Sequence, residues 1–284
     1  MELIKHPSLD WKPISIVPVG DVQLGAGGVV KKALRQDIER GIEQNALFIG
    51  MGDYVDVASP SGRAKIKGAD FYDSVESALA AYDDSQVEEF LRLVAGTKGR
   101  WIGIHQGHHY LEHGDGTTSD TRIAEALDAP FLGDSALSRL TFARSYRGKA
   151  KSTKVKFDIY STHGTGSGQT QAAPLAKLEK ISGAVDADLY LINHYARKGA
   201  VPRDKLFMDQ KGRLQHKTIY MVATGGYMAA YEEGSNKAGR AQGSYVEKAM
   251  LTPTTLGGTI IRLTPERSQK DLVSKHAIRQ EVTL

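Results

Sequence analysis

Short apolar runs that close on Gly, Asp or His alternate along this chain with stretches of helical periodicity. "PISIVPVGD" (13–21), "ALFIGMGD" (46–53) and "RWIGIHQG" (100–107) read as buried strands, since they are short, apolar and bounded by turn formers. Between the first two, "VVKKALRQDIERGIEQNA" (29–46) places Val30, Leu34, Ile38 and Ile42 four apart, the spacing of one helical face. Residues 74–97 also carry a helical pattern, which Asp83 and Asp84 could interrupt. Further along come a short helix "SDTRIAEALDA", strands "PFLGD" and "VKFDIYS", a helix "PLAKLEKISGAV", and strands "ADLYLINH", "KTIYMVATGG" and "GGTIIRLTP". Strands alternating with helices predict an α/β protein. No repeat or low-complexity linker marks a boundary, so a single domain is expected over residues 1–284. The charged tail after Pro265 is expected to be a terminal helix or an oligomer contact.

Candidate chemistry sits where the strands end. Asp21, Asp53, His108, His163 and His194 each follow a different predicted strand. Loops at that edge of an α/β sheet converge, so the five are expected to meet in space. One Asp or His in such a place is usually a turn former. Recurrence after five strands points instead to a metal centre of carboxylates and imidazoles, ligands suited to Zn, Mn or Fe. The run "HQGHHYLEHGDG" (105–116) taken alone does not decide between metal chemistry and a polar loop. Composition narrows the choice, because a chain without cysteine has no disulfide framework and no thiolate zinc site. Thirty-seven Lys and Arg against thirty-three Asp and Glu give a net charge of +4, which tolerates an acidic partner without demonstrating one. No apolar run approaches the ~18 residues of a membrane span, and the start lacks a signal-type apolar region. A cytoplasmic protein without a membrane partner is the expectation, and nothing in the pattern sets its oligomeric state.

"GD" at 20–21, "GDYVD" at 52–56, "GHH" at 107–109, "HG" at 163–164 and "NH" at 193–194 resemble, in order, the five motifs of the calcineurin-like metallophosphoesterases. The likeness spans about residues 14–263, leaving 266–284 as a C-terminal tail. "SDTRIAEALDA", "PFLGD" and "THGTGSG" resemble the phage and prophage type in particular. The resemblance implies a four-layer αββα sandwich of two mixed β-sheets flanked by helices, with a dinuclear centre at the sheet edge. It also implies roles. Asp53 would bridge two metals, Asp21 would bind the first, and His108, His163 and His194 would bind the second. His109 would stay unligated, contact the phosphate and protonate the leaving oxygen. The implied activity is hydrolysis of a phosphate ester, of the phosphodiester or nucleic-acid type, by metal-activated water.

Departures from the family pattern are concentrated in one half of the centre. Gln23 and Ala196 stand where the family has histidines of the first metal site, while His108 replaces an asparagine at the second. Gln23 offers at most a carbonyl oxygen and Ala196 nothing, so one tight site and one weak or absent site are expected. Tyr110 stands where an acid normally follows the GNH motif, and Glu112 is a candidate to orient His109 in its place. An alternative reading keeps the fold but not the turnover, as a metal- or nucleic-acid-binding or scaffolding subunit. A dinucleotide fingerprint in "GAGGVV" lacks its last glycine and leaves the histidines unexplained. Arg144, Arg147, Lys149, Lys151, Lys154 and Lys156 form a basic segment that is either a nucleic-acid contact or a solvated hairpin. Residues 231–245 read as a loop over the site or a surface excursion.

Overall fold

The computed structural model describes every residue except 70, 145–152, 232, 234–235, 238–239, 242–244, 249 and 269–274. Its apolar runs become the inner strands of two mixed sheets. One sheet runs β16 (Lys275–Thr283), β15 (Ile260–Ser268), β3 (Ile14–Val19), β4 (Leu47–Gly50), β5 (Trp101–His105), β6 (Phe131–Gly133), with β3 to β6 parallel and β15 antiparallel to both its neighbours. The other runs β1 (Glu2–Lys5), β7 (Ser135–Arg144), β8 (Thr153–Thr162), β9 (Leu189–Ile192), β11 (Leu214–Gly226), β10 (Lys198–Met208). Two short strands attach to it, β2 (Leu9–Asp10) on β7 and β14 (Gly257–Gly258) on β11. A separate ribbon pairs β12 (Asn236–Lys237) with β13 (Arg240–Ala241), within the 231–245 segment.

Strand periodicity sorts the side chains into three buried clusters, and the clusters define four layers. Ile16, Ile49, Ile102 and Leu132 of the first sheet face Leu140, Phe157, Leu189, Leu191 and Val222 of the second. Alternate residues point the other way. Val17, Val19, Phe48 and Trp101 pack beneath α1 (Lys31–Glu43), α3 (Asp73–Leu93) and α4 (Ser119–Ala126) through Leu34, Ile38, Phe90 and Ile123. On the far side, Tyr190, Ile192 and Met221 pack on Leu178 of α5 (Ala173–Ile181). The expected four-layer αββα sandwich of two mixed sheets is therefore the observed fold. Two short helices complete it, α2 (Pro60–Lys67) and α6 (Tyr245–Lys248).

Three expectations fail for physical reasons. No break occurs at Asp83 and Asp84, because α3 runs unbroken and turns the Asp83 carboxylate inward, onto His113 Nε2 and Ser119 Oγ, each at 2.7 Å. Of the two readings of the tail after Pro265, the helix is contradicted by the described residues, since β15 continues to Ser268 and β16 pairs back along it. Ile42 is 37% exposed although Leu34 and Ile38 are buried, since a four-residue step overshoots a 3.6-residue turn and the row drifts off the buried face. Residues 145–152, which include Arg147, Lys149 and Lys151, lie outside the described residues. Lys154 and Lys156 are exposed on β8, which pairs with β7 as an antiparallel hairpin. Among the described residues no helix is long and apolar enough to cross a membrane.

Candidate metal centre

Each predicted site residue follows the end of its strand: Asp21 after β3, Asp53 after β4, His108 after β5, His163 after β8 and His194 after β9. The chain turns sharply there. Eight described non-glycine residues have positive φ, and five of them, Asp21, Gln23, Asp53, His194 and Ala196, belong to this edge. Such backbone costs roughly 1 kcal/mol or more per residue and persists only where surrounding bonds enforce it. Here the loops are stitched together. Asp21 N–H donates to Gly52 O at 3.0 Å, and Val22 and Gln23 N–H both donate to Asp53 O at 2.9 Å. With its amide turned to satisfy its neighbours, Asn193 accepts from Asp21 N–H at 3.0 Å and donates to Thr224 Oγ1 and Gly225 O. Gly107 is required by contact, because a Cβ there would lie 2.1 Å from Asp53 N.

Asp53, His108, His163 and His194 converge, with one donor atom from each inside a mutual 4.8 Å. Hydrogen bonds at the back of the rings fix which nitrogen faces in. His163 Nδ1–H donates to Met51 O at 2.7 Å and His194 Nε2–H donates to Gly166 O at 2.9 Å. That leaves His163 Nε2 and His194 Nδ1 as lone-pair donors, the arrangement that outer hydrogen bonds impose on metal-binding imidazoles. His108 Nδ1 stands 3.2 Å from His194 Nδ1, a separation at which two ring nitrogens share either a proton or a cation. His163 Nε2 lies 3.4 Å from Asp53 Oδ2 but is too poorly aligned for a hydrogen bond, and it is a buried polar atom without any hydrogen-bond partner. Ligands ~2.0–2.1 Å from a tetrahedral zinc sit about 3.3 Å apart. The donor set thus fits a divalent cation in chemistry and in spacing.

Charge is distributed accordingly. Burial alone would raise the Asp53 carboxyl, but the facing His163 imidazole and the backbone N–H of His108 hold it well below the usual carboxylate range. Burial works against a charge on His163 as well, yet Asp53 outweighs it and the ring is pushed up to about 9. Burial and the neighbouring His163 push His108 down to about 4, and the same causes lower His194. Without a metal, two neutral imidazoles therefore stand beside an ion pair, whose His163 Nε2 proton a cation would replace.

The side that the resemblance assigns to a first metal is different. Burial pushes the Asp21 carboxyl up to about 7, and its Oδ2 accepts the Ala196 N–H at 2.8 Å. Asp21 stands outside the four-residue cluster, and Gln23 is held there through its backbone. Beside the cluster His109 is oriented by Asp56, the last residue of "GDYVD", whose Oδ1 accepts the Nδ1–H at 2.7 Å. The ring's other nitrogen, Nε2, then lies 3.9 Å from Asp53 Oδ2. Burial would lower the His109 imidazole, but Asp56 and Asp53 prevail and raise it. Glu112, the expected orienter, instead pairs with Lys67. Sequence reasoning also missed two buried supports. Asp120 accepts the Gly107 N–H at 2.8 Å, and His105 joins the sheets by donating to Gly133 O and accepting from Ser161 Oγ at 2.7 Å.

Fold and centre together define a four-layer α/β sandwich with a group of imidazoles and a carboxylate, able to hold a metal, at its strand ends. No family model and no curated protein matches the chain. Among solved structures it is similar to Vps29 from Entamoeba histolytica complexed with zinc, at 11% identity and TM-score 0.36, covering 94% of this chain and 99% of that one. It is also similar to a predicted phosphoesterase from Streptococcus pneumoniae TIGR4, at 9% identity and TM-score 0.33, covering 94% and 98%. A third is GAP50, the anchor in the inner membrane complex of Plasmodium, at 8% identity and TM-score 0.36, covering 93% and 88%. Likeness this low says nothing about activity.

Proposed function

We propose that the chain is a calcineurin-like, metal-dependent phosphoesterase whose substrate is a phosphodiester or nucleic-acid-type ester. The observation that carries this reading is the orphaned, buried His163 Nε2 facing Asp53, beside the converging nitrogens of His108 and His194. These four residues would hold the tight ion, Zn, Mn or Fe, and Asp53 would be shared with a weaker position at Asp21 and Gln23. When bound, the metal supplies Lewis acidity, easing ionisation of water and offsetting charge on the phosphoryl oxygens. Asp56 holds His109 by Nδ1, so Nε2 is the atom that donates a proton to the departing oxygen. The raised affinity of His109 for its proton suits an acid. The diester preference rests on the resemblance in sequence alone.

A second reading, a binding or scaffolding subunit, is favoured by one contact: Ala196 gives Asp21 a backbone N–H where an imidazole would have been a ligand. A screen of Mn, Zn, Fe, Ni and Mg against model mono- and diesters separates the two. Metal-dependent hydrolysis supports the enzyme, and metal uptake without turnover under every combination supports the subunit.

A further inference from the structure

The peptide bearing His108, His109 and Tyr110 has no regular secondary structure, yet it must present two adjacent imidazoles in different directions. Its three successive carbonyls are all taken by the segment that follows Asp53. His109 O accepts the N–H groups of Val57 and Ala58 at 3.0 and 3.3 Å. His108 O and Tyr110 O accept from a single atom, Arg63 Nη1, at 2.5 and 3.3 Å, and that atom also donates to Ala58 O at 2.9 Å. The guanidinium carbon lies 3.8 Å from the centroid of the Tyr110 ring, and Arg63 Nε is 4.0 Å from Glu112. Only 12% of the Arg63 side chain is exposed. The guanidinium holds these carbonyls through one nitrogen while its planar face stacks on the Tyr110 ring, and a lysine ammonium has no such face.

We propose that Arg63 is a positioning residue, clamping the His108–Tyr110 peptide so that His108 Nδ1 faces His194 while His109 Nδ1 faces Asp56. Tyr110 then has a role of its own as the surface on which the guanidinium rests. The consequence for metal binding rests on the reading given under the proposed function; the clamp itself does not. Without Arg63 the His108 and Tyr110 carbonyls lose their partner, and the peptide is held only by Asp53 and through the His109 carbonyl, which lets both imidazoles shift. Outer contacts of this kind are worth about 10- to 100-fold in metal affinity.

The test compares wild type with Arg63→Ala and Arg63→Lys in three measurements. In the metal-free protein, the imidazole ¹H–¹⁵N resonances of His108 and His109 should move in Arg63→Ala, while those of His105 and His113, held by their own partners, should stay in place. Zinc affinity, measured by competition with a chromophoric chelator, should fall about 10- to 100-fold in Arg63→Ala. Arg63→Lys should recover little of it, and added guanidinium ion should restore it in Arg63→Ala without affecting wild type. Unmoved His108 and His109 resonances, or an equal shift of every histidine with a lowered melting temperature, would overturn the clamp. If wild type binds zinc but hydrolyses nothing, the proposed activity fails and the clamp is still decided by affinity. If wild type binds no zinc, the resonances of the metal-free protein decide it.

Discussion

Asp53 accepts the backbone N–H groups of His108 and His109 on one oxygen and faces His163 with the other, so a single carboxylate orders the residues proposed to bind and to protonate. The two adjacent histidines should then separate on substitution. His108→Ala should weaken metal retention, with part of the lost turnover returning on addition of metal. His109→Ala should keep its metal and lose roughly 10²- to 10⁴-fold in turnover. The His109 defect should shrink with a nitrophenolate leaving group, which needs little protonation. Equal metal loss in both variants would show that the roles are misassigned. At this scale the strand-end Asp and His residues were legible because each follows an apolar run. Asp56 and Arg63 were not, since their partners His109 and Tyr110 lie 53 and 47 positions away and only the fold brings them together.

Within the elements, α3 shows how a polar residue can be mistaken for a break. Asp83 sits mid-helix and fully buried, and its two oxygens take His113 Nε2 and Ser119 Oγ. Ser119 Oγ in turn accepts the Leu111 N–H at 2.8 Å, which ties the helix to the loop leading from His109. Asp83→Ala strands two buried partners and should cost about 2–4 kcal/mol, read from the denaturant midpoint. A change under about 0.5 kcal/mol would mean that the network is dispensable. The inner strands were legible because both faces are covered and their sequences are almost continuously apolar. β10 and β16 were not. As edge strands they carry Pro202, Lys205 and Arg279, and such residues mask strand character while blunting an open edge.

Taken whole, the molecule places strand ends from both sheets on one side, so that Asp53 and His108 from the first meet His163 and His194 from the second. On the proposed reading, the two halves of the centre differ in ligand strength. Gln23→His combined with Ala196→His should tighten a second ion, provided the loop presents the new rings; titration with excess metal reads this as a second binding step. For nucleic acid, Lys154→Gln with Lys156→Gln should reduce the salt dependence of binding by about 1–2 in log–log slope. An unchanged slope would leave those lysines as a solvated face of the hairpin.

Metal content per chain, measured after purification of wild type and His163→Ala, bears most directly on the centre. The account predicts about one tightly held transition metal in wild type and its loss in His163→Ala, with the fold retained by circular dichroism. No metal in wild type after exposure to Zn, Mn and Fe, or equal content in both proteins, would contradict it.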